Sequence, residues 1–175
     1  MPTSATGTNK RGGFTLLEVL VVLAIVAVLA AVAALAVGGV GSRRVENAAR
    51  RAEALLTLAC ERAAMTGRDI GVAVLTDGLR FGYLVEQGWQ PVGDDPADPL
   101  RPRALGEAIR LSVEREGELL DLADDPPTAP HLACSSSGEL TPFVLEIAGE
   151  ADAQRWHLRG TLDGTLALQA VDGDG

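Results

Sequence analysis

No side chain between Val19 and Val40 carries a charge, a run of 22 residues. Polar positions do not recur within it at the interval that a helix buried on one face would show. At about 1.5 Å of rise per residue, a helix of this length spans a hydrocarbon core of about 30 Å. The run therefore predicts a membrane-spanning helix. The apolar core of a secretory signal is the alternative, but such a core has roughly 7–15 residues and a small-residue cleavage site after it. This run is too long for that.

After Gly38, Gly39 and Gly41 the pattern becomes amphipathic. Val45, Ala48, Ala49, Ala52, Leu55 (or Leu56), Ala59 and Ala63 fall at helical spacing, with Arg43, Arg44, Glu46, Arg50, Arg51, Glu53, Glu61 and Arg62 between them. Such a face is expected to pack on the chain's own domain, and Gly67 reads as the helix stop. The three glycines each weaken a helix by roughly 1 kcal/mol relative to alanine, which suggests a hinge or local melting there.

Beyond Gly67 the period shortens to that of strands. Strands are predicted near 70–76 and 80–86 around the Asp77-Gly78 turn, with Trp89 just after. Others are predicted at 108–114, briefly in "HLAC", at 142–148, and at 154–159 and 165–170 around Asp163-Gly164. Segments 91–102 and 121–130, rich in proline and aspartate, read as loops. The predicted fold class is α+β: a long N-terminal membrane-spanning helix packed on an antiparallel β-rich C-terminal domain.

Charge narrows the function. The net charge is −9, and the acids crowd between Asp94 and Asp125. A soluble part of this kind does not bind nucleic acid through a basic surface. Cys60 and Cys134 form no C-x-x-C pair, and with only His131 and His157 beside them no metal-ligand spacing exists. An oxidising compartment would permit a disulfide between them; free thiols are the favoured expectation. Ser135–Ser137 with either histidine lack a G-x-S-x-G elbow and read as a turn. The terminal "DGDG" lacks the later ligands of a twelve-residue calcium loop. The expectation is a chain with no enzymatic activity, no metal and no cofactor.

The chemistry that stands out lies at the start. Lys10 and Arg11 precede Gly12 and Gly13, and Phe14 and Glu18 follow. An acid in a membrane helix is costly at the centre and less so near the interface. Glu18 either sits among head groups or meets a positive charge. A cut after Gly13 would create such a charge, an amine at Phe14, for a neighbouring copy's Glu18. The basic residues before the run favour a cytoplasmic N-terminus, while Arg43, Arg44, Arg50 and Arg51 on the far side oppose it.

"RGGFTLLEVLVVLAIVAVLAA" resembles the N-terminal signature of type IV pilins and of the pseudopilins of type II secretion. The resemblance implies a leader (1–13), a transmembrane part of the helix (14–41), its amphipathic part (42–66) and a periplasmic β-rich domain (67–175). It implies a leader whose basic residues are Lys10 and Arg11. It further implies cleavage by a prepilin peptidase between Gly13 and Phe14, N-methylation at Phe14, and Glu18 as the assembly carboxylate. It places the chain in the bacterial inner membrane as a single-pass protein, with the N-terminus cytoplasmic before processing. In the second half, Gly67, Arg68, Trp89, Gly138, Thr141, Pro142, Phe143, Trp156, Leu158, Gly160, Gly164 and Leu166 carry a looser likeness. They resemble the minor pseudopilin H group and its FimT- and FimU-type minor pilin relatives. Implied partners are other minor and major pseudopilins, an inner-membrane assembly platform driven by a cytoplasmic ATPase, and secreted cargo. A minor type IV pilin serving pilus assembly, motility or DNA uptake is the alternative.

Overall fold

The computed structural model describes residues 15–149 and 154–172, without the side chains of 32–40, 154 and 172. Lys10, Arg11, Gly13 and Phe14 lie outside the described residues. Helix α1 (Leu16–Thr66) comes first. Among the described residues ten strands follow: β1 (Ile70–Val74), β2 (Gly78–Val85), β3 (Gly88–Pro91), β4 (Arg103–Ala104), β5 (Ile109–Arg115), β6 (Glu118–Leu119), β7 (Leu132–Cys134), β8 (Phe143–Gly149), β9 (Gln154–Gly160) and β10 (Leu166–Asp172). The chain divides into two units, the first ending at Gly39 and the second starting at Val40.

In the first unit the helix opens on Thr15. Its carbonyl and its Oγ1 both accept the Glu18 N–H, at 3.0 and 3.3 Å. Thr15-Leu16-Leu17-Glu18 has the spacing of a capping box, in which the threonine satisfies a free helix donor and the acid stands in the first turn. Every described side chain from Thr15 to Ala31 is exposed, Leu16 at 82% and Leu23 at 63% among them. A helix that is apolar on all sides needs an apolar surrounding. Among the described residues no helix is long and apolar enough to cross a membrane, and the described side chains of the uncharged run end at Ala31.

In the second unit the apolar stripe of α1 is buried as its spacing requires. Val45, Ala48, Ala49, Ala52, Leu56, Ala59 and Ala63 are nearly inaccessible, and Leu55 joins Leu56 in the core. The small alanines let the sheets approach the helix closely. The helix ends at Gly67, whose φ of +65° suits a left-handed C-terminal cap.

All strand pairs are antiparallel. One sheet has the order β3-β2-β1-β7, with β4 also on β2; the other runs β10-β9-β8-β5-β6. In the second sheet, register lines up Val113, Leu145, Leu158 and Leu168 across four strands. The first three are fully buried and Leu168 packs against the core. Strand β1 is buried at all five positions, so its outer face is covered too. Gly71 and Gly82 pair in register and leave a flat notch. A Cβ on Gly82 would lie 2.3 Å from Trp89 Nε1, and one on Gly71 would lie 2.5 Å from Pro130. Trp89 thus belongs to a strand, β3, rather than following one. Strands β4 and β6, two residues each, were not foreseen.

The preference for free thiols is overturned: Cys60 and Cys134 form a disulfide, with 4.9 Å between their Cα atoms. The helical stripe and β7 each turn one cysteine toward the same point of the core. Sequence spacing cannot show this, because 74 residues separate the two.

Candidate assembly surfaces

Three arrangements hold the β-rich domain in a defined shape beside the helix. The first is the Cys60–Cys134 disulfide between α1 and β7. The second is the ion pair of Arg62 with Asp98, at 2.8 and 3.1 Å, which ties loop 92–102 to the helix. Burial pushes the Asp98 carboxyl up, but the Leu100 N–H and Arg62 outweigh it and leave Asp98 below its ordinary range. The third is Asp69, whose Oδ1 accepts the Ser136 N–H at 2.7 Å. That bond, with the Ser136 side chain, holds the Asp69 carboxyl below its ordinary range.

The serines are therefore turn residues. Ser135 N–H bonds to the Glu139 carbonyl, and Gly138 N–H returns to the Ser135 carbonyl. His131 is not near them as a base. Its Nδ1 accepts the Val74 N–H at 3.0 Å, and its carbonyl accepts a bond from Arg115. Burial, and then the Arg115 charge, push the His131 pKa below its ordinary value of 6.5. The unfolded chain then binds a proton that the folded one refuses. Stability is complete above about pH 6.5 and falls as pH drops from there through the lower folded value. Urea melts at pH 7.5 and pH 5 should show this loss, and His131→Asn, whose Oδ1 replaces the acceptor, should flatten it. An unchanged slope in that variant would assign the loss to other groups. His157 instead faces Glu146, 3.1 Å away, with Arg155 at 3.7 Å from the same carboxylate. Among the described residues no cluster of histidine, cysteine and carboxylate side chains has the geometry to hold a metal ion.

Several residues behind the looser likeness meet at one end of the domain. Gly160 lies opposite Phe143 in register, and a Cβ there would sit 2.3 Å from the ring. Gly164 has a φ of +82°, and a Cβ on it would lie 2.5 Å from the Gly138 carbonyl oxygen. Leu140 N–H reaches the Leu162 carbonyl, joining the two turns. Gly164→Ala should cost about 1–3 kcal/mol, from overpacking together with an unfavourable backbone. A thermal melt checks this, and a shift under 1 °C would contradict it. Arg68 stacks on Tyr83 at 3.8 Å.

The prokaryotic N-terminal methylation motif matches residues 8–34. Type II transport protein GspH matches residues 48–164, about two thirds of the chain. The chain belongs to the GspH family. Type II secretion system protein H of Aeromonas hydrophila is 30% identical over 160 residues, covering 85% of this chain and 86% of that protein. Its counterpart in Vibrio cholerae is 32% identical over 184 residues, covering 90% and 94%. The solved structure of the minor pseudopilin EpsH from the type 2 secretion system of Vibrio cholerae superposes with a TM-score of 0.60 at 30% identity. It covers 75% of this chain and 99% of that one. As a GspH-family protein with a methylation motif, the chain is a minor pseudopilin of a kind that is membrane-anchored in general. The reading of an α+β, pilin-like fold agrees with these relatives. Sequence reasoning missed the Thr15 cap, although T-x-x-E before an apolar run was its signal. It also missed the Arg62–Asp98 pair, which no local pattern marks.

Proposed function

We propose that this GspH-family chain is a non-enzymatic subunit built into a short periplasmic pseudopilus, near its tip, to help export folded proteins. A prepilin peptidase cuts between Gly13 and Phe14, with Lys10 and Arg11 orienting the leader, and Phe14 is then methylated. The apolar helix crosses the inner membrane once, with the N-terminus cytoplasmic before processing and the β-rich domain in the periplasm. The subunit leaves the bilayer by packing its apolar helix against those of other pseudopilins. Glu18 meets the terminal amine of a neighbour. Work comes from an inner-membrane platform and its cytoplasmic ATPase, since the chain carries no phosphate-binding motif.

The observation that carries this reading is the capped helix start, with Glu18 in its first turn and only apolar side chains from Val19 to Ala31, under a methylation motif. The Cys60–Cys134 disulfide supports a domain folded in an oxidising compartment. Deleting the gene tests it. Released enzymes should vanish from the medium while surface pili and twitching persist. Normal release with lost pili would overturn the secretion assignment and return the chain to the minor type IV pilins.

A further inference from the structure

Among the described strands, β10 is the edge of its sheet and pairs only with β9. Natural edges are blunted by charge, proline, bulges or shortness. Among the described strands, β3 has four residues and ends in Pro91, β4 and β6 have two each and β7 three, and the part of β5 that β6 leaves uncovered carries the charge of Arg110. Strand β10 has seven residues in unbroken register with β9, no proline, and no charge before Asp172. The Thr161 N–H bonds the Thr165 carbonyl in the turn. By the alternation of an antiparallel ladder, the amides of Leu166, Leu168 and Ala170 then point away from β9.

Beside this edge runs a groove of about 870 Å³ between α1 and the start of β10. Ala54, Leu58, Cys60 and Leu166 give it an apolar floor, and Glu53 and Glu61 line it. Neither carboxylate has an ion-pair partner among the described residues.

We infer that β10 and this groove receive an extended segment of another protein as an added strand. That segment bears arginine or lysine toward Glu53 and Glu61 and an aliphatic side chain toward Leu58. Backbone pairing supplies affinity and the groove supplies selection, as in strand addition generally. Two unpaired acids flanking an apolar floor favour a basic-apolar segment over an acidic one. The inference rests on assembly of the chain with other subunits, and its test separates the two.

A photo-reactive phenylalanine at the exposed Thr57, in the full chain within its own cell envelope, would attach to whatever fills the groove. The same residue at Leu20 reports packing of the apolar helix. The Thr57 product should map to an extended segment containing arginine or lysine. Its yield should fall at least fivefold in E53R/E61R. It should fall likewise in Ala170→Pro, which removes an outward N–H without breaking a bond to β9. Attachment to an acidic or helical segment, to lipid, or to a second copy of this chain would overturn the inference. So would an undiminished yield in these variants, or no Thr57 product while the Leu20 product persists. Loss of the Leu20 product in the unaltered chain would instead overturn the assembly reading.

Discussion

The C60A/C134A double variant should melt about 10–15 °C below the parent. The Cys60–Cys134 bond closes a loop of 74 residues in sequence. In the chain-entropy description, cross-linking such a loop removes about 4 kcal/mol of freedom from the unfolded state, within a usual range of about 2–5 kcal/mol. A domain of this size has only about 5–15 kcal/mol to lose. For a chain of about this length each kcal/mol moves the melting temperature by about 2–4 °C. Alanine is the right replacement, because Cys134 is fully buried and a serine would add an unpaired hydroxyl to the core. Adding a thiol reductant to the parent should reproduce the loss, and the same reductant should leave the double variant unchanged. A shift below about 3 °C in both would mean that the core around Leu132, Leu140 and Leu56 holds the helix to the sheet without the bond.

The elements that sequence made legible share one property: their signal is local and periodic. The stripe from Val45 to Ala63 repeats at helical spacing, and all of it is buried. The longer strands alternate or run apolar between turn residues, so β1, β2, β5, β8, β9 and β10 fall close to their predicted spans. Strands β4 and β6 have two residues each, too few for any period to register. Strand β3 was missed because Gly88-Trp89-Gln90-Pro91 looks like punctuation; its pairing with Gly82–Val85 of β2 makes it a strand, and the glycine notch admits its tryptophan. The disulfide and the Arg62–Asp98 pair join residues 74 and 36 apart, and no pattern within a window of one element contains them. For the candidate site the position is reversed. Gly13, Phe14 and Glu18 are read from a contiguous motif, and only Glu18 falls among the described residues.

Glu18→Gln and Glu18→Ala should both be cut and methylated normally, and both should fail to enter the pseudopilus. The Glu18 carboxylate is set at the start of the described helix. It stands in the first turn of α1, where a negative group favours the helix start, and it occupies the acidic position of the Thr15 capping box. It is also the only charge on the described stretch from Thr15 to Ala31. Glutamine serves a capping box nearly as well as glutamate, so the amide variant isolates the charge. If Glu18 pairs with a neighbour's terminal amine, either substitution leaves that amine uncompensated in an apolar surrounding. Removing one partner of such a pair costs about 3–5 kcal/mol, or about a hundredfold or more in the incorporated fraction. Quantifying sheared pseudopili against the membrane pool, with intact mass reporting leader removal and methylation, measures both steps in one preparation. Normal incorporation of Glu18→Gln with failure of Glu18→Ala would assign Glu18 to capping its own helix. Normal incorporation of both would remove it from assembly and leave the apolar surface around it to drive packing alone.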